Sequence, residues 1–506
     1  MTGLHPVLCL RGHGSCDQVL PFARAEGKKW RGKVRRRVRD RQYRLTGQRE
    51  LFARDGICAL FHAENLRVAY FSDRLAEVLS LLKGGCDITD FQRIHDQVSP
   101  RFLGWADGGH DVQLPHFWML LLELLEHDFL REDRPEQTAP AQRRARTNRF
   151  TGLMILPSLR CNFRCDYCYH RTIAPREKAA SVLSTDKVRR GIDYFLANTS
   201  VPGDISRSIS VAGGEPMLHY GLVSDTLEYA GEIRRRTPRL APFVFTMITN
   251  ASLTDDRWIE LINKHGLAIA VSLDGRRPRN DLRRKSPKGS AYLRSTAGIK
   301  RLNQAGIKPA ILMTVSSHNI DALSEDVTWL FEHFELAAFS FNLDTSFSRE
   351  YRVPPAEYAN GIIRAYDELS YRGLFDSKVI RINGKFQSKR RAGGGCGGVF
   401  SHVVLFPDGS VGPCPRLAGD AAQRMDIVEG QELHTSRIFR RWSALDYSLN
   451  KTCQRCNYRN ICEGWCPYAS LRLTGRLSEP NDYGCLYTKR LLEWLIWYDC
   501  ERALQG

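Results

Sequence analysis

Leu159-Arg160-Cys161-Asn162-Phe163-Arg164-Cys165-Asp166-Tyr167-Cys168 decides how the chain is read. Three cysteines at spacings of four and three follow an apolar run, Met154 to Leu156, with the character of a buried strand. Three thiolates on one short loop are soft ligands for iron–sulfur or for zinc. Structural zinc takes four ligands, usually as two close pairs, whereas this loop stops at three. Three thiolates on a four-iron cluster leave one iron open for a substrate to chelate.

From Arg149 onward apolar runs alternate with helical periodicity. Strands are predicted at Met154–Pro157, Ser208–Val211, Phe243–Thr249, Ala268–Ser272, Ala310–Val315 and Ala338–Asn342. Helices are predicted between and after them, at Thr185–Asn198, Leu222–Arg236, Asp255–Lys264, Tyr292–Gln304, Asp321–Phe334 and Pro355–Tyr371. Six such units imply a parallel sheet curled into a partial (β/α)6 TIM-like barrel over residues 149–385. Chemistry in such folds sits at the carboxyl ends of the strands, and the polar motifs fall there. Gly213-Gly214-Glu215-Pro216 follows the second strand, its glycines permitting close backbone approach and its carboxylate suited to an ammonium. Thr249-Asn250 ends the third strand, Ser272-Leu273-Asp274-Gly275 the fourth and Thr314-Val315 the fifth. Ordinary loop capping is the bland alternative for each.

Upstream, residues 50–135 read as a small α+β domain. Ile57–Phe61 and Arg67–Phe71 form a hairpin, followed by helices after Ser72, over Ile88–Val98 and over His116–Glu126. Residues 136–148 read as a linker, preceded by Pro135 and containing Pro140, Arg143, Arg144 and Arg146. Net charge is +18, yet residues 1–50 alone hold thirteen Lys and Arg against four Asp and Glu. The basic segment 1–48 is expected to be a flexible, solvated arm, so nucleic acid is not the favoured partner. With no run of 18 apolar residues, no membrane span is expected. The start lacks a secretory pattern and fifteen cysteines in 506 residues suit a reduced compartment, so a cytoplasmic location is expected.

Cys-x3-Cys-x2-Cys with Tyr167 just before the last cysteine resembles the radical S-adenosylmethionine (SAM) superfamily. The resemblance implies a four-iron cluster on Cys161, Cys165 and Cys168 whose open iron chelates SAM. It implies that Gly213, Gly214, Glu215 and Pro216 hold the methionyl amine. Asn250, Ser272 and Asp274 would then meet ribose and methionine groups, with Thr314 and Tyr167 near the adenine. No catalytic acid or base is identified. Farther on come Cys396, Phe406-Pro407-Asp408-Gly409, Cys414, Cys453-x2-Cys456-x5-Cys462-x3-Cys466 and Cys485. This order resembles the SPASM extension of radical SAM proteins, here residues 386–490, with a C-terminal helix at 491–506. The resemblance implies two auxiliary four-iron clusters, one on Cys453, Cys456, Cys462 and Cys485, the other on Cys396, Cys414 and Cys466. The second set is one thiolate short, because Ala392-Gly393-Gly394-Gly395 holds no cysteine. A pair of zinc sites is the alternative. Cys9, Cys16, Cys58, Cys86 and Cys500 lack metal-like spacing and read as inert thiols.

The resemblance implies an enzyme that forms a 5′-deoxyadenosyl radical and abstracts hydrogen from an unactivated carbon. The domain over 50–135 resembles the winged-helix element that binds a leader peptide as an added strand. The favoured substrate is therefore a ribosomally made precursor peptide. Its side chains would be oxidised or joined by a carbon–carbon, ether or thioether bond. A flavodoxin- or ferredoxin-like protein would supply the electron. A sulfatase-type maturase is the first rival, but that group carries an acidic residue after the second SPASM cysteine and here Pro415 follows Cys414. An RNA-modifying radical enzyme and a non-enzymatic iron–sulfur adaptor are the others.

Overall fold

The structure is a computed structural model. It describes residues 7–11, 27–38, 41–45, 49–63, 67–72, 76–82, 85–102, 115–126, 128–132, 150–173, 181–199, 206–238, 242–374, 396, 401–445, 447, 450–462 and 464–505. The predicted linker 136–148 lies outside them.

The central element is an eight-stranded sheet. Six of its strands arrive in chain order and run parallel: β7 (Gly152–Ile155), β8 (Arg207–Val211), β9 (Phe243–Thr249), β10 (Ala268–Ser272), β13 (Ala310–Val315) and β14 (Ala338–Leu343). A two-residue hairpin pair, β11 (Lys285–Ser286) and β12 (Gly289–Ser290), intervenes before β13. The crossover helices are α6 (Thr185–Ala197), α7 (Tyr220–Arg236), α8 (Asp256–His265), α10 (Ala291–Gln304) and α11 (Leu323–His333), with α9 (Arg277–Arg283) in the loop after β10 and α12 (Pro355–Tyr371) after β14. Local chemistry sets their ends. Ser184, Asp255 and Ser290 cap α6, α8 and α10 by accepting from the third residue beyond. Gly266 closes α8 in the left-handed conformation, φ 59°. Along β13 burial alternates, with Ile311, Met313 and Val315 fully buried. Ala310, Leu312 and Thr314 point to the other face.

The sheet also runs across the expected boundary between barrel and extension. Strand β15 (His402–Leu405) pairs parallel with β7, and β16 (Val411–Gly412) folds back on β15. The C-terminal helix begins earlier than expected, spanning Asp482–Gln505 and so taking in Cys485. No helix among the described residues is long and apolar enough to cross a membrane.

The N-terminal region corrects one expectation outright. Residues 1–48 are not a solvated arm over their described parts. Strand β1 (Val7–Arg11) joins a sheet of order β1-β5-β4-β3, with β3 at Arg49–Arg54, β4 at Ile57–His62 and β5 at Arg67–Ser72. Helix α1 (Gly27–Val38) buries Val34 and Val38 completely, while Arg31, Arg35, Arg36 and Arg37 stay exposed. Two valines four residues apart suffice to seat a basic helix, and net charge hid them. They share a core with Phe91 of α3 (Ile88–Phe102) and Leu121 and Leu124 of α4 (Pro115–Glu126), while α2 (Ala76–Leu81) adds Val78. Two short strands, β2 (Tyr43–Leu45) and β6 (Leu130–Glu132), pair antiparallel beside it.

The two chain ends meet. Tyr70 donates to Ile496 O at 2.7 Å, and Phe61 and Tyr70 share a core with Leu492 and Ile496. Asn457 donates to Arg49 O at 2.9 Å and Asn460 to Ala63 O at 2.8 Å.

Candidate active site

The cysteine loop leaves β7 at the carboxyl end of the parallel sheet and is pinned by backbone. Gly214 N donates to Ser158 O at 3.0 Å and Glu215 N to Arg160 O at 2.9 Å. A Cβ on Gly214 would stand 1.9 Å from Arg160 O, and Gly213 holds φ 123°. The paired glycines therefore let the second strand's loop lie against the cysteine loop itself. Cys161 Sγ accepts from Phe163 N at 3.3 Å and from Asn250 Nδ2 at 3.9 Å. Cys165 Sγ accepts from an Arg284 guanidinium nitrogen at 3.9 Å. Burial pushes the Cys161 thiol up to about 12, with Glu215, Cys165 and Cys168 adding their charges. Burial likewise pushes Cys165 up to about 11, opposed by Arg284. Three soft donors, two of whose sulfurs receive N–H groups, suit an iron–sulfur cluster, since such hydrogen bonds stabilise sulfur in its anionic state. Among the described residues, no group of three or more His, Cys, Asp and Glu is set to hold a single metal ion.

Two buried carboxylates brace this end of the sheet. Glu215 is 1% exposed and accepts from Thr249 Oγ1 at 2.6 Å, Asn250 N at 2.8 Å and Met217 N at 3.0 Å. It ties the end of β8 to the end of β9. Burial raises its pKa and these three hydrogen bonds oppose the rise. Pro216 starts a tight turn, Pro216–Leu218, that Glu215 caps. Asp274 is fully buried, accepting from Tyr167 OH, from Arg284 Nε at 2.9 Å and from Thr314 N at 2.9 Å. It joins the cysteine loop, through Tyr167, to the ends of β10 and β13. Asn250 donates to Asn162 Oδ1 at 2.9 Å and accepts from Ser252 N at 2.9 Å, so it braces the cysteine loop. Ser272 and Thr314 are half-buried at the ends of their strands.

Residues outside the sequence motifs complete this end of the sheet. Arg283 is 1% exposed and donates to Asp344 Oδ2 at 2.6 Å and Ser316 Oγ at 2.9 Å. Its guanidinium lies 3.9 Å from the Tyr351 ring centre and 5.0 Å from that of Tyr167. Ser316 Oγ lies 2.6 Å from His318 Nδ1, and burial pulls His318 down to about 4. His170, 4% exposed, is pulled down to about 3 by burial and then by the Arg416 charge. Nothing in the sequence set Arg283 and Arg284 apart from the other charges of the segment between two predicted elements.

The C-terminal cysteines fall into two sets by which thiols act on which. Cys414 is raised by burial and then by Cys396 and Cys466. Burial pushes Cys453 up to about 11, with Cys462 and Cys456 adding. Cys485 is pushed up to about 12 by burial, then by Cys462, Cys453 and Cys456. Tyr447 stands among them, raised by burial and by thiols of both sets. Its ring occupies the space a Cβ on Gly464 would need. Cys58, Cys86 and Cys500 are buried away from these sets.

Residues 155–330 match the model of the Radical SAM superfamily. A cysteine-type anaerobic sulfatase-maturating enzyme of Clostridium perfringens is 23% identical over 340 residues, 62% of this chain and 88% of the relative. The radical SAM cyclopropyl synthase TigE of Paramaledivibacter caminithermalis is 20% identical over 368 residues, 68% of this chain and 74% of the relative. Among solved structures, native anSMEcpe with bound AdoMet superposes with TM-score 0.59 at 19% identity, over 70% of this chain and 100% of that one. Streptococcus suis SuiB bound to precursor peptide SuiA superposes with TM-score 0.50 at 17% identity, over 88% and 99%. With the cysteine loop at the carboxyl end of its parallel strands, residues 155–330 form a radical SAM domain, and the chain is a radical SAM enzyme.

Proposed function

We propose that the protein is a peptide maturase that oxidises or cross-links side chains of a ribosomally made precursor. The observation that carries this reading is the contact between its two cysteine regions. Arg416, two residues after Cys414, lies 5.2 Å from the ring centre of Tyr169, the neighbour of Cys168. Cys161, Cys165 and Cys168 would hold the SAM-binding cluster, and the two C-terminal sets would hold auxiliary clusters. With SAM bound, such a cluster supplies hydrogen abstraction from an unactivated carbon, which no side chain can perform. The chain's own residues position and shield. Glu215, Asn250 and Asp274 fix the strand-end loops, while Ser272 and Thr314 stand half-buried at the strand ends. A flavodoxin- or ferredoxin-like donor would deliver the electron.

The N-terminal sheet supports a peptide as substrate. Among the described strands β3 pairs only with β4, which leaves an edge that an extended peptide can join. SuiB, with its precursor peptide, superposes over 88% of the chain. A sulfatase-type maturase is the second reading, favoured by the relative covering 62% of the chain. It must work with Pro415 and then Arg416 after Cys414, where that group carries an acidic residue.

The test incubates reconstituted protein, SAM and reductant with short peptides encoded beside its gene, and with a sulfatase-type cysteine peptide. Hydrogen loss and an intramolecular link in an encoded peptide, seen by tandem mass spectrometry, is the expected outcome. An aldehyde on the sulfatase-type peptide would establish the second reading. SAM cleavage with neither peptide altered would sink both.

A further inference from the structure

We infer that the outward face of α1 is a docking surface for a carboxylate-rich stretch of the precursor peptide. The inference rests on the reading of a peptide as substrate.

Of the twelve residues of α1 seven are Lys or Arg and none is Asp or Glu. Val34 and Val38 seat the helix against Phe91, Leu121 and Leu124, so the opposite positions face outward. Arg35, Arg36 and Arg37 are exposed, with Lys33 half-buried one turn earlier. Among the described residues, Arg35, Arg36 and Arg37 make no ion pair. Exposed arginines on other helices find a carboxylate one turn away, as Arg236 does with Glu232 on α7 and Arg372 with Glu368 on α12. Such pairs support a helix, whereas like charges one turn apart, as Arg31 and Arg35 are on α1, weaken it. The helix dipole favours the cations of the last turn but not Lys28 and Lys29 in the first. Folding by itself does not account for this composition.

Gly32 points the same way. It stands mid-helix and half-buried, where glycine is the poorest helix former after proline. A Cβ there would meet nothing within 4 Å. No packing among the described residues calls for glycine, and its bareness lets a ligand approach the helix backbone from outside.

Position and chemistry narrow the occupant. Cys58, Leu60 and Phe71 share a core with α1 on one side of the four-stranded sheet, while Ala59, Phe61 and Tyr70 share one with Leu492 and Ile496 on the other. The sheet therefore separates α1 from the C-terminal helix and from Cys485 on it, which makes α1 a poor seat for an electron donor. Polymers with many anions remain, and a guanidinium fork takes carboxylate and phosphate alike. Single-stranded nucleic acid is held by aromatic rings interleaved with cations. Among the described side chains of α1 no large hydrophobic is exposed, and Trp118 beside it is 3% exposed, its ring centre 5.7 Å from the Arg31 guanidinium. The observations favour an acidic peptide.

The experiment measures fluorescence anisotropy of labelled decaglutamate, and of the peptides encoded beside the gene, with the reconstituted full chain. It is run at low salt and at 1 M salt, where charges are screened beyond about 3 Å. The wild-type chain is expected to bind decaglutamate and an acidic encoded peptide at low salt and to release both at high salt. The combined substitution Arg35→Gln, Arg36→Gln and Arg37→Gln is expected to weaken binding about tenfold, the scale of three exposed ion pairs. It should raise KM for the encoded peptide and leave kcat nearly unchanged. Lys at all three positions should keep most of the affinity. SAM cleavage without peptide and thermal unfolding should match wild type in both variants, which separates lost charge from lost fold. Equal affinity of the Gln variant for decaglutamate, or binding insensitive to salt, would overturn the inference. Tighter binding of an RNA of equal charge would overturn it too, because the partner would then be nucleic acid. So would an encoded peptide that is modified with unchanged KM after its Asp and Glu are replaced by Asn and Gln. Decaglutamate binding as expected with no encoded peptide modified would support the carboxylate surface and sink the substrate reading beneath it.

Discussion

The two cysteine regions are built in opposite ways. The loop holding Cys161, Cys165 and Cys168 grows from a central strand of an eight-stranded sheet, and its backbone bonds to the next strand's loop at Ser158 and Arg160. Its sulfurs receive donors from Phe163, Asn250 and Arg284, none of which needs the metal to be in place. Cys453, Cys456 and Cys462 lie in or beside the four-residue helices Lys451–Gln454 and Arg459–Cys462. Helices that short do not hold themselves. One region is preorganised by the sheet; the other would be organised largely by the clusters proposed for its cysteines. On that reading the first tolerates loss of its ligand, and the second stands on it.

The largest effect expected from this contrast is on catalysis. Cys165→Ala should reduce SAM cleavage to background, well beyond the ~10–100-fold that changes around a metal site's ligands cost. 5′-Deoxyadenosine quantified by chromatography reads it, and its persistence would break the assignment of the first cluster. Removing iron should then separate the two regions. After chelation, limited proteolysis should cut the segment around Lys451–Cys462 about tenfold faster, the factor given by ~1.4 kcal/mol of lost local stability. The strands around β7 should resist as before. Equal resistance in both would show the array to be preorganised too.

Gly214→Ala sharpens the comparison from the other side. Its Cβ would meet Arg160 O at 1.9 Å, a backbone atom that cannot rotate away. Destabilisation of about 1–3 kcal/mol by denaturant titration is expected, already in the metal-free protein. No such cost in the metal-free protein would mean that the loop, too, is shaped by its cluster.

The effect farthest from the chemistry is on pH. His318 is pulled down to about 4 by burial, so between about 6.5 and 4 the unfolded chain binds a proton that the folded chain refuses. The associated stability is present above about 6.5 and lost as pH falls through 4, at most ~3 kcal/mol. His318→Asn should flatten the fall of Tm over that window while leaving the Cys161 loop's iron content unchanged.

Much of the fold was legible because its signals are local. The predicted strand Phe243–Thr249 is observed with the same limits, and α12 matches the predicted Pro355–Tyr371. Buried parallel strands bounded by amphipathic helices write their period into a few consecutive residues. The N-terminal helix was lost because Val34 and Val38, the fully buried residues among its described side chains, stand among arginines. Strand β15 was lost because its partner is β7, some 250 residues earlier. The site divides in the same way. Cysteine spacing and Gly213-Gly214-Glu215-Pro216 announced where chemistry would gather, since ligation and close approach demand particular residue types.

By itself, then, the sequence determined the order of the strands, the loop that carries the three cysteines and the family it signals. Which side chains are committed was decided by tertiary structure alone. Glu215 accepts from Asn250 N, 35 residues on, and Asp274 from Thr314 N, 40 residues on. Arg283 finds Asp344 across 61 residues, and Arg416 finds Tyr169 although far from it in the chain. Charge compensation acts over a few ångströms of space in a medium of low polarity, and nothing in local periodicity records which residues will share it.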